Sequence, residues 1–313
     1  MQRLIRAFFL SLVISLCSSL YAKITLVTIA FNRPEFIELQ YKSLCTFLED
    51  DWEQIIFINA TNPKTKKQLI QECKKYNIQY VLVPVDQDER LSVHGQATNF
   101  AFAQLLSERV EKVVLFENDC FLLRPFSIER DFAGYDLAYI SRYYFYKEAT
   151  PAIENTKFDH ENFYINPMFC FLDLSKLPDP HQIKWRFYYI DWYFLDTGGE
   201  MYPYLRNHPN IVKREIKEHT QFENFLDFFR LTEKQYAQLQ SEAPPAMLPA
   251  LTPLLTFCKN RDAIHFFHDF AVVHYSDGSR IWRFLPQNLR AKKWQLVQQL
   301  VNAQIEAYTA ETT

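Results

Sequence analysis

Between residues 23 and 116, short apolar runs alternate with segments of helical spacing, and this alternation restricts the fold more than any other feature of the chain. Lys23 to Phe31 is rich in Ile, Val and Thr, and Asn32, Arg33 and Pro34 break it. Pro34 suits the first turn of a helix, and Phe36, Leu39, Leu44, Phe47 and Leu48 follow near helical spacing. Ile55 to Ile58 is a second strand, Lys64 to Tyr76 a basic amphipathic helix, and Tyr80 to Val85 a third strand. A polar loop, Asp86 to Leu91, leads to Ser92 as a helix cap and to a helix over Ala97 to Leu106. Val113 to Phe116 is the next strand. Runs this apolar are buried on both faces, and strands alternating with helices predict an α/β fold: a mostly parallel sheet with helices on its faces.

Residues 126–313 are less regular and richer in aromatic side chains. Asp136 to Ile140 and Asn166 to Asp173 have strand composition. Lys184 to Arg206 predicts an aromatic helix interrupted at Gly198 and Gly199, and Thr232 to Gln240 another helix. Pro244, Pro245, Pro249 and Pro253 predict a packed, irregular insertion. Phe270 to His274 is a last strand, Asp277 to Ser279 a turn, and Leu289 to Tyr308 a closing amphipathic helix.

The stretch Lys112 to Pro125 carries the chemistry. Its apolar run ends in Glu117, Asn118 and Asp119 before apolar residues resume at Cys120. Ligands bind at the C-terminal ends of strands in open α/β sheets. Side chains two apart on an extended chain point the same way, so Glu117 and Asp119 can converge on one hard divalent cation, Mg²⁺ or Mn²⁺. Taken alone, the same acids also suit a solvated turn.

Three further features can join them. Phe31, Asn32 and Arg33 follow the first strand, where a base could stack and a guanidinium meet phosphate. Gly95, Gln96 and Asn99 open a helix, a natural anion site. His265, His268 and His274 form a late cluster. His274, at a strand end beside a turn, suits a third cation ligand, whereas His265 and His268 read as structural histidines.

Composition excludes other classes. The 313 residues include only five glycines, and neither G-x-G-x-x-G nor G-x-x-x-x-G-K-[ST] occurs. A net charge of −3 gives no case for nucleic-acid binding. Neither H-E-x-x-H nor a common zinc spacing occurs, which disfavours a metal-dependent hydrolase built on the late histidines. Arg3 and Arg6, the apolar run Ala7 to Leu20, and Ala22 make residues 1–22 a secretory signal peptide. A retained signal-anchor is the alternative, and only then does the protein meet a membrane. Beyond Cys17 the cysteines number five: Cys45, Cys73, Cys120, Cys170 and Cys258. Cys45, Cys120 and Cys170 read as small core residues, and one or two disulfides are compatible with export.

In order, these motifs resemble the GT-A-fold, nucleotide-sugar-dependent glycosyltransferases, family-2-like. The carriers are Thr28 to Pro34, the Gly95-x-Ala97-x-Asn99 pattern, and a D-x-D-like triplet at Glu117 to Asp119. The resemblance covers residues 24–125 most fully. It implies a single Rossmann-like domain over 23–313, with a nucleotide-sugar-binding half (23–125) and an acceptor half with the C-terminal helix (126–313). It implies a donor site at Phe31, Asn32, Arg33, Gly95, Gln96, Asn99, Glu117 and Asn118. The implied metal ligands for Mn²⁺ or Mg²⁺ are Asp119, Glu117 and His274. Asp196, with Asp191 in reserve, would be general base for an acceptor hydroxyl on a glycan, protein or lipid. Two departures stand out: Glu117 replaces the first Asp, and Asn59-Ala60-Thr61 stands where many relatives carry acids. The rival reading is a degenerate, non-catalytic exported protein that binds carbohydrate or nucleotide sugar.

Overall fold

The computed structural model describes residues 23–84, 93–142, 145–146, 164–186, 188–190, 193–195, 197–219, 230–275 and 286–313. The expected signal at 1–22, the 86–91 loop with its Ser92 cap, Asp191, Asp196 and the 277–279 turn lie outside the described residues. No helix among the described residues is long and apolar enough to cross a membrane.

Four strands form the parallel half of the main sheet: β1 (Ile24–Ala30), β2 (Trp52–Ile58), β3 (Gln79–Leu82) and β4 (Lys112–Phe116). β1 lies between β4 and β2, with Val27 opposite both Leu115 and Ile55. All seven β1 residues are buried, which is why the run shows no polar alternation. The sheet continues through β8 (Tyr164–Asp173), β6 (Leu137–Arg142) and β11 (Lys213–Glu215), in the order β11-β6-β8-β4-β1-β2-β3. Only β8 runs against the rest. The mostly parallel, helix-flanked sheet expected from the sequence is therefore present.

Helices cover both faces. On one face α1 (Pro34–Phe47) sets Leu44 and Phe47 against Leu26 and Val114, and α2 (Pro63–Lys75) sets Leu69 and Cys73 against Ile56 and Ile58. Asn62 caps α2, its side chain accepting from the amides of Lys64 and Thr65. On the other face α3 (Val93–Ser107) packs Ala97, Ala101 and Leu105 against Val27, Phe57 and Val113.

A second, antiparallel sheet is attached to the end of β4. It comprises β5 (Cys120–Leu122), β12 (His265–Phe267) and β13 (Val272–His274), with β13 in the middle. Three late helices build its core: α6 (Glu233–Glu242), α7 (Leu248–Cys258) and α8 (Gln287–Thr312). Thr232 starts α6 with a capping box to Gln235.

Three expectations are corrected. Lys184 to Arg206 is not one helix: Tyr188–Ile190 and Tyr193–Leu195 pair as antiparallel strands, and among the described residues of the stretch α-helix is confined to Met201–Asn207. Aromatic and β-branched side chains favour the pleated sheet over the helix. The proline-rich stretch is not irregular, because it forms α7. Pro249 occupies the first turn, and burial of Leu251, Leu254, Leu255 and Cys258 outweighs the hydrogen bond lost at Pro253. Cys45 is exposed rather than core, and all five described cysteines are free thiols.

Candidate functional site

The site begins where β4 ends. Phe116 is fully buried, and the Glu117 amide is still held by the Met168 carbonyl of β8 at 3.0 Å. The chain then turns: the Cys120 amide donates back to the Glu117 carbonyl at 3.0 Å. This turn displays Glu117, Asn118 and Asp119 at the C-terminal end of the sheet. Strands β1 and β2 also end on that side, at Ala30 and Ile58, and are followed by Phe31 and Asn59.

His274 reaches the same edge through an antiparallel pairing. Parallel strands do not deliver it, for β13 is antiparallel to β5, and His274 lies in register with Cys120. The Tyr275 amide, donating to the Asp119 carbonyl at 2.9 Å, continues that pairing. As a result His274 Nε2 stands 3.2 Å from Asp119 Oδ1 and 3.5 Å from Glu117 Oε2. Asp119 is 1% exposed and His274 6%. Burial disfavours a charged imidazole, but the Asp119 and Glu117 carboxylates outweigh it and push His274 up to about 9. Without a cation, the cluster is thus held by an imidazolium between two carboxylates.

Donor atoms of Asp119, Cys120 and His274 all lie within 4.8 Å of one another. A carboxylate and an imidazole at such separations fit a divalent ion with oxygen and nitrogen ligands, whereas Glu117 lies outside that group and approaches it through His274. The Cys120 thiol lies beside them, donating to the Met168 carbonyl at 3.4 Å.

The other expected residues divide. Arg33 sits on the same edge: its guanidinium carbon is 4.4 Å from the Phe36 ring centre and 5.7 Å from that of Tyr275. Arg33 also pairs with Glu35 at 2.7 Å. Phe31 is half-buried and Asn32 exposed in the loop after β1, and Asn118 is half-buried between the two acids. Gly95, Gln96 and Asn99 lie in α3, where Gly95 and Asn99 have packing duties. Asn99 Oδ1 accepts from the Trp185 amide at 2.8 Å, and a Cβ on Gly95 would come within 2.3 Å of the Trp185 carbonyl oxygen.

His265 and His268 behave as structural residues. His265 Nδ1 lies 2.9 Å from Glu218 Oε1, and its ring stacks on His274 with centres 5.5 Å apart. His268 packs between Phe126 and Phe132, with Nε2 3.6 Å from Asp131 Oδ2.

Two groups escaped the sequence reading. His94, at the start of α3, brings Nε2 to 3.6 Å from Glu117 Oε1. Gln40 and Ser43 of α1 are fully buried. Their signal was visible: both are polar positions on the apolar stripe of that helix.

No protein-family model and no curated protein matches the chain. Many solved structures are similar to it, and two of them serve as examples. One is glucosyl-3-phosphoglycerate synthase from Mycobacterium tuberculosis in complex with phosphoglyceric acid. It is 12% identical, with 64% of this chain and 71% of that chain covered and a TM-score of 0.39. The other is the galactosyltransferase LgtC in complex with donor and acceptor sugar analogs, 11% identical, with 88% and 95% covered and a TM-score of 0.41.

Proposed function

We propose that this chain is a GT-A-like glycosyltransferase that moves a sugar from a nucleotide-sugar donor to an acceptor hydroxyl on a glycan, protein or lipid. The observation that carries the reading is the meeting of Glu117, Asp119 and His274. His274, more than 150 positions further along the chain, has its Nε2 3.2 Å from Asp119 Oδ1 and 3.5 Å from Glu117 Oε2, which supports this reading. Their meeting point lies at the sheet edge where α/β folds bind ligands, and the order of motifs along residues 24–125 supports the same reading.

Asp119 and Glu117 would hold Mn²⁺ or Mg²⁺, with His274 as the nitrogen ligand. When bound, the ion would supply Lewis-acid stabilisation of charge on a departing nucleoside diphosphate. Loading requires His274 to give up its proton, after which the two carboxylates face the cation instead of an imidazolium. Arg33 contributes a fixed positive charge on the same edge, suited to phosphate oxygens. Asp196, or Asp191, is assigned as general base toward the acceptor hydroxyl. In this reading residues 1–22 direct the chain into the secretory pathway or out of the cell, and intact-mass analysis of exported protein should find them removed.

The test is a panel of nucleotide sugars assayed for hydrolysis and transfer with and without Mn²⁺. Turnover should require the metal, and Asp119→Asn should abolish it without unfolding the protein. Glu117→Asp, which restores the usual triplet, should be tolerated. Metal-dependent binding without turnover would favour the non-catalytic alternative, and activity indifferent to both substitutions would remove the proposal.

A further inference from the structure

Beneath the acidic turn lies a buried polar network that the proposed chemistry does not use directly. Gln40 Nε2 donates to two carbonyls of the turn, Glu117 at 2.7 Å and Cys120 at 3.0 Å. Its Oε1 accepts from Gln54 Nε2 at 2.7 Å and lies 3.1 Å from Thr28 Oγ1. Three of the amide's four bonding positions are thereby engaged, and the fourth faces the Thr28 hydroxyl. Thr28 Oγ1 is also 3.0 Å from the Phe116 carbonyl, so its single proton serves that oxygen or Gln40 in turn. One helical step along α1, Ser43 Oγ accepts from the Leu122 amide at 3.2 Å and donates to the Gln40 carbonyl at 2.8 Å. Residues three apart share a helix face, so α1 presents Gln40 and Ser43 together to the start and end of the acidic segment.

We propose that Gln40 is a positioning residue that fixes the Glu117–Cys120 turn, and hence both carboxylates, opposite His274. The proposal rests on the reading of that turn as a cation site. Gln40, Thr28 and Ser43 are 0% exposed, and Gln54 is 5% exposed. A methionine would fill much the same space as Gln40 without any polar atom to satisfy, so packing alone does not require an amide. What the amide adds is direction. It tethers the backbone of Glu117 and Cys120 on either side of Asn118 and Asp119, so the backbone of the turn fixes where those two residues sit. On the opposite side the Tyr275 amide tethers the Asp119 carbonyl at 2.9 Å. The turn is therefore held between α1 and β13, and metal sites depend on ligands placed within about 0.5 Å.

Gln40→Met tests this, with Leu69→Ala as a control. Leu69 is 0% exposed but belongs to a separate core cluster between α2 and the sheet, so its truncation lowers stability without touching the turn. Mn²⁺ affinity by calorimetry and amide exchange at Glu117, Cys120 and Leu122 are measured on wild type and both variants. Gln40→Met should weaken Mn²⁺ by about tenfold or more and speed exchange at those three amides, while Leu69→Ala leaves both unchanged. Wild-type affinity and exchange in Gln40→Met would overturn the proposal, as would an equal loss of Mn²⁺ in Leu69→Ala. If wild type binds no Mn²⁺, exchange still decides: faster exchange in Gln40→Met upholds the clamp while removing the cation reading, and unchanged exchange overturns the clamp. Should Gln40→Met not fold, Ser43→Ala and Thr28→Val each remove one tether, and faster local exchange in both is required.

Discussion

Substituting Gly95 by Ala tests whether this glycine serves packing or ligand approach. The added Cβ would lie 2.3 Å from the Trp185 carbonyl oxygen and 3.5 Å from its carbon. Ordinary carbon–oxygen contacts begin near 3.3 Å, so the overlap is about 1 Å. Trp185 cannot retreat. It is fully buried, its amide donates to Asn99 Oδ1 at 2.8 Å, and its ring packs on Phe102 at 6.0 Å. Gly95, Asn99 and Phe102 thus form one stripe of α3 against Trp185. Relief requires α3 to move away, which costs about 1–3 kcal/mol of overpacking and about 1 kcal/mol for a weakened hydrogen bond. With an unfolding entropy of roughly 2.1 cal/mol/K per residue, a total near 3 kcal/mol should lower the Tm of a 313-residue chain by roughly 5 °C. Thermal denaturation followed by circular dichroism measures this. Because both substitutions act on the same contact, Gly95→Ala should cost less in an Asn99→Ala background than alone. A Gly95→Ala protein within about 1 °C of wild type would refute the packing argument and return Gly95 to a purely ligand-facing role.

Two further expectations follow from burial and charge. Asp173 is 2% exposed; burial raises its carboxyl, but the ammonium of Lys176 at 2.8 Å and the Ser175 hydroxyl outweigh that and hold it below the usual 3.8. A depressed carboxyl stabilises the fold above its unfolded pKa and loses that contribution as pH falls through the folded one. Asp173→Asn should therefore lower Tm at pH 7, and the difference should shrink as pH falls from the unfolded Asp value of about 3.9 through the lower folded one; a constant difference across that range would contradict the assignment. Among the five described cysteines, burial pushes the Cys73 and Cys258 thiols up to about 12, whereas Cys45 is exposed. Peptide mapping after brief alkylation of native protein should find Cys45 modified first, and equal labelling of Cys73 or Cys258 would contradict the described packing.

How much of this was legible in the sequence depends on the kind of signal. The strands of the first half announced themselves because β1, β2 and β4 are buried on both faces and read as continuous apolar runs. The acidic triplet was legible because charge follows such a run abruptly. The aromatic stretch 188–195 was not, since aromatic density carries no period and strand pairing is a tertiary choice. The prolines near α7 were misleading because helix formation there depends on a buried leucine face rather than on local preference. His274 was located but its approach was not: an antiparallel partner three residues long leaves too short a pattern to read. Gln40 and Ser43 were readable in principle as polar breaks in an apolar stripe, but what they hold is seen only when the turn after β4 folds back over α1.

The central claim is that Glu117, Asp119 and His274 form a divalent-cation site, and direct titration tests it without any assumption about donor or acceptor. Mn²⁺ should bind wild type with one ion per chain and with proton release, as His274 loses its proton. Asp119→Asn should lose that binding while keeping the wild-type circular dichroism spectrum. No heat of binding in the wild-type protein, or equal affinity in Asp119→Asn, would contradict the account.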